Sequence, residues 1–335
     1  MAILVTGGAG YIGSHTVLYL NGLGEEVIVL DSLKKGHREA VRNAAFYLGE
    51  LKDGDLLDEI FTTHQIEAVM HFAADSLVGE SVEQPLQYYE NNVIGSYHLV
   101  KKMFEHQVKK MVFSSTAAVY GNPMNVPIKE EDPTVPTNPY GETKLAIEKM
   151  LKWADDAYGL KSICLRYFNA AGADPEGRIG EDHTPESHLI PIILQTALGQ
   201  REQVSIYGED YPTPDGSCVR DYIHVMDLAN AHYLALKRLR AKEESGIYNL
   251  GNGTGYSVKE VIDACLTISQ KNIQAVLAPR RAGDPAILVA SSEKAQKELG
   301  WKPQYHELKQ IIAHAWKWHQ NNPSGYNAET INKNI

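Results

Sequence analysis

Short apolar runs alternate with amphipathic stretches through the first half of the chain. Runs at 2–5, 27–31, 46–51, 68–72, 110–115 and 162–166 predict strands, and the stretches at 11–23, 56–62, 86–104 and 140–158 predict helices. Such alternation is the sequence form of an α/β fold in which helices cover both faces of a parallel sheet. Between 168 and 186, Gly172, Pro175, Gly177 and Gly180 break any period and predict a long loop. Later elements mix: helices at 191–198 and 227–239, strands at 204–207 and 247–250, and a last amphipathic helix at 306–319. Ser257 and Glu260 have the spacing of a capping box for one more helix. Residues 1–168 are thus expected to form the parallel-sheet domain, with some later segments returning to it. A smaller mixed α/β C-terminal lobe is expected over 169–320. The Asn-, Ser- and Gly-rich stretch 321–335 has little to bury and is expected to be a frayed tail.

Composition narrows the class. Of the 335 residues, 43% are hydrophobic and 22% charged, ordinary values for a globular protein. The net charge of −10 argues against nucleic acid or an anionic membrane as partner. A phosphorylated ligand would therefore need local arginines. Cys164, Cys218 and Cys265 are odd in number and far apart, as suits free thiols in a reducing cytoplasm. Zinc-ligand spacing is not evident, and no metal is expected. The first apolar run is too short for a signal peptide, and no stretch of 18 apolar residues suggests a membrane span.

The first strand breaks at Thr6 into Gly7-Gly8-Ala9-Gly10-Tyr11-Ile12-Gly13 and resumes as a helix. Glycines there let the backbone bend and approach a ligand closely, and a dinucleotide pyrophosphate would rest on the free N–H groups of the helix start. Asp31 ends the next strand, where an acid accepts hydrogen bonds from a ribose and repels a 2′-phosphate. Together these features predict a Rossmann-type doubly wound sheet that binds NAD.

A second constellation lies at Tyr140-Gly141-Glu142-Thr143-Lys144. Four-residue spacing places Tyr140 and Lys144 on one helical face. A lysine ammonium beside a tyrosine would favour the phenolate, a usable base near neutral pH. Spacing alone is met equally by an exposed Tyr–Lys pair. Upstream, the strand 110–115 runs into Thr116, at the sheet edge where ligands of such folds bind.

The segments TGGAGYIG at 6–13, HFAA at 71–74, NNVIGS at 91–96, SST at 114–116 and YGETK at 140–144, with Asp31, resemble the extended short-chain dehydrogenase/reductase superfamily. HFAADSLVGES at 71–81, LRYFNAAGA at 165–173, YGEDYPTPDGSCVRDYIHVMDLA at 207–229, YNLGNG at 248–253 and APRRAGDPA at 278–286 resemble its UDP-hexose 4-epimerases. The resemblance runs from residue 1 to about 326. It implies reversible epimerisation of UDP-galactose to UDP-glucose through a 4-keto sugar, with hydride held transiently on tightly bound NAD.

Carried over by position, the resemblance implies Tyr140 as catalytic base and acid, Thr116 as its hydroxyl partner and Lys144 as a bridge to the cofactor ribose. Cofactor contacts would come from Gly7, Gly10, Tyr11, Ile12, Gly13, Asp31, Ser32, Glu50, Leu51, Phe72, Ala73, Ala74, Asn91, Ser114, Tyr140, Lys144, Tyr167 and Phe168. Substrate contacts would come from Thr116, Tyr140, Asn169, His188, Leu189, Ser205, Tyr207, Arg220, Arg281 and Asp284, the arginines supplying the local positive charge. Without the family, Arg280-Arg281 reads as a solvated pair and Arg220-Asp221 as a surface ion pair. The chain departs from the family at Lys35, Glu50, Ser76 and His188. Leu288 aligns with the position that sets tolerance of N-acetylated sugars, where leucine is intermediate in size. Thr116 is followed by Ala117-Ala118, without the extra acid that a dehydratase or decarboxylase needs, which favours plain epimerisation. Apolar residues on more than one face of the helices near 86–104 (Tyr89, Val93, Ile94, Tyr97) and 140–158 (Leu145, Met150, Leu151) fit packing within the monomer or a dimer interface; the resemblance implies a homodimer through a four-helix bundle.

Overall fold

The computed structural model describes residues 1–281 and 284–326. Seven parallel strands lie in the order Gly246–Leu250, Lys161–Tyr167, Lys110–Ser114, Ile66–His71, Ala2–Thr6, Val27–Asp31 and Ala45–Leu48. From the central Ala2–Thr6 the chain first builds outwards on one side and then crosses to Ile66–His71 on the other. That reversal opens a crevice at the carboxyl ends of the strands. Alternate side chains of the central strand enter different cores. Ile3 and Val5 join Val17 and Leu20 of helix Tyr11–Gly22 and Leu228, Leu236 and Leu239 of helix Val225–Lys242. Ala2 and Leu4 join Leu57 and Ile60 of helix Gly54–Thr63, Leu99 and Met103 of helix Gly95–Glu105, and Ile147 and Leu151 of helix Pro139–Tyr158. The sheet is doubly wound, with the near-continuous apolar strands that burial on both faces demands.

Helix Val225–Lys242 and strand Gly246–Leu250 lie far beyond residue 168 yet pack into this first layer. The chain therefore crosses between the two regions more than once. The second region has its own core, in which helices Leu189–Ala197, Val258–Ser269 and Leu308–Asn321 meet around Ile193, Cys265 and Ile311. The capping box on Ser257 and Glu260 is formed. The region also holds short strands that periodicity did not reveal: Asn169–Ala171, Val219–His224, Gly255–Ser257, Ala275–Ala278 and Ile287–Leu288.

Several expectations need correction. The helix expected over 86–104 is three pieces, Pro85–Tyr88, a π-helical turn Tyr89–Ile94, and Gly95–Glu105, preceded by a separate short helix Val78–Glu83. Pro85, without an N–H, starts the first of the three. In the wide turn, the buried Asn92 amide accepts from Asp75 N and donates to Asp75 O and Thr143 Oγ1, pinning the turn to the next helix. The strand expected over 46–51 ends at Leu48, and the remaining three residues, 49–51, lead towards helix Gly54–Thr63. The start of the expected tail is packed. Tyr326 is buried against Trp318 and His37, and its hydroxyl pairs with the backbone of Gly180. Residues 327–335 lie outside the described residues. Leu145 and Leu151, expected as interface candidates, are buried within the chain, whereas Tyr89, Ile94 and Tyr97 are exposed. The three cysteines are buried and free. No helix among the described residues is long and apolar enough to cross a membrane.

Candidate active site

The glycine turn shapes one end of the crevice. Gly7 has a φ of 72°, and a Cβ there would sit 2.5 Å from Ala73 N. At Gly13 a Cβ would sit 2.1 Å from Gly7 O, so this glycine is required by the turn itself. Gly10 differs: its φ of −75° suits any residue, and a Cβ would meet only Gly7 O, at 3.4 Å. Gly10 stands at the N-cap of helix Tyr11–Gly22, which has no side-chain cap, whereas Asp53, Asn138 and Ser257 each cap theirs. An uncapped helix start over open space suits an anion.

Beside the turn, the Asp31 carboxylate accepts from Ala9 N at 2.9 Å and Leu33 N at 2.8 Å. Burial raises its pKa while these N–H groups hold it down. The carboxylate thus braces the turn, and each oxygen keeps a lone pair for a ribose. Ser32, Phe72, Ala73, Ala74 and Asn91 are partly exposed along the same crevice edge, and Leu51 is buried. Glu50 is paired with Lys34 at 2.7 Å, which lowers its pKa. Next to Asn91, the buried Asn92 was missed by sequence reasoning; its signal is the unusual buried amide inside a helix. It is joined to the sheet through a relay in which His71 contacts Thr6 Oγ1 at 2.7 Å and Ser96 Oγ at 2.8 Å, and Ser96 Oγ donates to Asn92 O. Burial holds His71 neutral, with a pKa lowered to about 3.

Tyr140, Lys144 and Thr116 are brought together. Asn138 caps their helix by accepting from Gly141 N at 2.9 Å, and Pro139 occupies its first turn. Gly141 permits the approach: a Cβ there would lie 2.7 Å from Ala118 O, so only glycine lets the helix start press onto the turn Ala117–Tyr120 that follows Thr116. Burial pushes the Tyr140 phenol up to about 12, and its hydrogen bond with Thr116 works against that rise. The Lys144 ammonium donates to Ser114 O at 2.9 Å and lies 5.9 Å from the Tyr140 ring centre. Burial lowers its pKa to about 7, partly opposed by Glu148 one turn on. Ser114 Oγ and Tyr167 OH are paired at 2.5 Å.

Beneath this surface lies a buried ion pair absent from the sequence reading. Glu148 accepts from Arg166 Nε at 2.9 Å and from a second guanidinium nitrogen at 2.5 Å, and from Ser115 Oγ at 2.5 Å. Arg166 also donates to Tyr120 OH at 2.8 Å, which in turn donates to Asn249 Oδ1. The signal was present: Glu148 continues the Tyr140–Lys144 face at the next four-residue step, and Arg166 interrupts an apolar strand.

The second region places its polar residues through strand pairing. Arg220 stands opposite Tyr256 on one side and Leu288 on the other, and Leu288 packs with Phe168 on the cluster that holds Ala117. Arg220 pairs with Asp284. Asp221, expected as its surface partner, is instead fully buried and accepts from the N–H groups of Asn252, Gly253 and Ala290, because its strand turns that side chain inwards. Ser205 and Tyr207 share one strand and one face, and the Arg281 guanidinium lies 4.0 Å from the Tyr207 ring centre. Arg280 is taken up by Asp210 and the Tyr211 ring. Asn169 donates to Asp221 O at 3.1 Å, and Leu189 opens the helix Leu189–Ala197.

His188, at the N-cap of that helix, has neighbours the sequence reading did not foresee. Against the expectation of no metal-ligand pattern, Glu181, His183, Glu186 and His188 converge, with one ligand atom of each within 4.8 Å of the others. Their spacing of two, three and two residues is unlike the Cys/His patterns of zinc sites, which is why it passed unnoticed.

The family model of the "NAD dependent epimerase/dehydratase family" matches residues 3–251. A UDP-glucose 4-epimerase of Halalkalibacterium halodurans is 67% identical over 99% of this chain and 100% of its own. A crystal structure of a UDP-glucose 4-epimerase, 58% identical, superposes with a TM-score of 0.96 over 98% of this chain and 100% of the other. The Bifidobacterium longum UDP-glucose 4-epimerase, solved with NAD+ and UDP, is 41% identical, with a TM-score of 0.93 over 97% and 100%.

Proposed function

Given that the chain belongs to the NAD dependent epimerase/dehydratase family, we propose that it interconverts UDP-galactose and UDP-glucose at carbon 4 and retains NAD throughout. The observation that carries this reading is the packing of Gly141 on Ala118, which sets Tyr140 against Thr116 with Lys144 anchored on Ser114. The residues at the crevice fit NAD: a glycine turn, an uncapped helix start with room above Gly10, and a braced Asp31 with lone pairs to spare. Bound NAD supplies a hydride acceptor and, later in the cycle, a hydride donor.

The phenolate of Tyr140 removes the 4-hydroxyl proton as the C4–H bond breaks, leaving a 4-keto sugar; the same phenol returns the proton when hydride adds to the opposite face. Thr116 holds the reacting oxygen near Tyr140. Lys144 steadies the phenolate and bridges to the cofactor ribose, with Gly7, Tyr11, Ile12, Gly13, Ser32, Glu50, Leu51, Phe72, Ala73, Ala74, Asn91, Ser114, Tyr167 and Phe168 completing the cofactor wall. Arg220, Arg281 and Asp284 grip the diphosphate and ribose, Tyr207 flanks the uracil, and Asn169, His188, Leu189 and Ser205 complete the nucleotide pocket. Firm nucleotide binding with a loosely held hexose is what turnover of the sugar ring requires. Leu288, beside Phe168 and the Ala117 cluster, bounds the hexose and leaves some room for N-acetylated sugars.

The protein acts as a cytoplasmic homodimer in this reading. Leu86, Tyr89, Ile94, Tyr97 and Phe104 on one helical stretch and Trp153 and Tyr158 on the next are exposed, large apolar side chains that a second copy of the chain would cover. Light scattering at micromolar concentration should give the dimer mass, and a monomer would reject this face as the interface. For the activity, purified protein without added cofactor should convert UDP-galactose to UDP-glucose. Tyr140→Phe should keep bound NAD and lose nearly all turnover; a variant that retained substantial activity would remove Tyr140 from the mechanism.

A further inference from the structure

We propose that Glu181, His183, Glu186 and His188 form a closed, structural site for one divalent transition metal of the zinc class. His183 Nδ1 lies 3.3 Å from Glu181 Oε1 and 3.7 Å from Glu186 Oε2, and His188 Nδ1 lies 2.9 Å from Glu181 Oε1 and 3.0 Å from Glu186 Oε1. A tetrahedral centre with metal–ligand bonds of about 2.0–2.1 Å has ligand–ligand edges of about 3.3 Å; with Glu186 ligating through Oε2, the edges of 2.9, 3.3 and 3.7 Å bracket that value. Two imidazoles and two carboxylates are a donor set that suits zinc, and their charge neutralises a divalent ion.

The competing account is a pair of histidinium–carboxylate ion pairs, and hydrogen-bond geometry weighs against it. Among these atoms only His188 Nδ1 and Glu186 Oε1 meet as a hydrogen bond. Glu181 Oε1, His183 Nδ1 and Glu186 Oε2 are buried without any hydrogen-bond partner, on carboxylates whose side chains are only 4% and 2% exposed. Buried polar atoms left unpaired are costly, so such a set needs something to bind. One ligand atom from each of the four residues lies within 4.8 Å of the others.

The location gives the site a purpose. The ring of His183 lies edge-on to Tyr11 of the glycine turn, Asp182 O is within 3.0 Å of His37 Nε2, and Trp318 Nε1 donates to Glu181 O. His188 begins the helix Leu189–Ala197. A metal here would clip together the cofactor turn, the last helix and the start of the substrate-side helix. With four protein ligands no coordination position is left open for substrate, so the ion is structural; it would take His188 through Nδ1 and leave Nε2 of the same ring to the nucleotide pocket assigned above.

The test uses full-length protein, stripped with a strong chelator and dialysed against Zn2+ or, as a visible probe, Co2+. Elemental analysis should find one metal per chain, the cobalt form should show the intense visible absorption of tetrahedral coordination, and metal should raise the unfolding temperature. Glu181→Gln and His183→Asn should each weaken zinc binding by more than about tenfold. Their folding is checked independently by circular dichroism in chelator. Failure of the wild-type chain to hold zinc or cobalt after reconstitution would overturn the site, as would undiminished binding in a chain carrying both Glu181→Gln and His183→Asn. Metal uptake without any rise in unfolding temperature would overturn the clip.

Discussion

In the cofactor-free protein Tyr140 is held protonated, with burial lifting its pKa to about 12. Ionising it at pH 7 would therefore cost about 7 kcal/mol. Bound NAD would bring a positive charge, and a unit charge at about 4 Å with an effective dielectric of about 20 would return about 4 kcal/mol. A charged Lys144, 5.9 Å from the phenol ring centre, returns about 3 kcal/mol by the same relation. Neither charge suffices alone, and the two together close the gap. Lys144 is itself lowered to about 7, so without cofactor it has lost its proton long before Tyr140 ionises and cannot help. On this account bound NAD would make the phenolate accessible, with a charged Lys144 beside it. The sign follows directly: with NAD bound, kcat/KM should rise with pH and level off above about 7. The assay is the ultraviolet absorbance of phenolate during a pH titration, with the Tyr140→Phe protein subtracted to remove the other 17 of 18 tyrosines. The NAD complex should show one phenol ionising near 7, and the cofactor-free protein none below about 11. Lys144→Met should move the ionisation in the complex up by about two pH units. Ionisation of Tyr140 near 7 without cofactor, or near 12 with it, would refute the electrostatic account.

Other consequences can be checked more briefly. Gly10→Ala should fold with at most about 1 kcal/mol lost, because its added carbon meets only one atom, yet it should lose NAD, with activity partly restored by excess cofactor. Gly13→Ala, driven into Gly7 O, should lower stability by about 1–3 kcal/mol in urea unfolding; equal stability of the two variants would contradict the geometry. Glu148→Gln keeps one acceptor oxygen but removes the carboxylate charge and sets amide N–H groups against the buried Arg166 guanidinium, and should cost about 3–5 kcal/mol, while adding Arg166→Met should recover part of it. Leu288→Tyr should depress turnover of UDP-N-acetylglucosamine more than that of UDP-glucose, since Leu288 packs beside Phe168 and the Ala117 cluster; an equal effect on both would remove it from the hexose pocket.

The parallel sheet was legible because each of its strands is a largely apolar run of four to seven residues, long enough for a pattern to register. The second region was less so. Strands such as Asn169–Ala171 and Ile287–Leu288, of three and two residues, carry no period, and each exists only because Val219–His224 lies alongside. The same limit applies to chemistry. Tyr140 and Lys144 are neighbours on one helix, so their spacing announces them, whereas the partners that define Glu148, Asn92 and Asp221 arrive from distant parts of the chain.

Glu181, His183, Glu186 and His188 sharpen that distinction, since all four lie within eight residues and still escaped notice. Local spacing reveals a site only where a regular element converts it into a known direction. Tyr140 and Lys144 sit on a helix, so four residues means one face. The segment 181–188 has no regular structure before its helix begins, and nothing in its spacing says which side chains meet. Their convergence is imposed by what surrounds them: Tyr326, Trp318, His37 and Tyr11 fix the segment from three sides. A polar site in a loop is therefore a property of the packed shell around it, and reading it required the very C-terminal residues that composition had assigned to a frayed end.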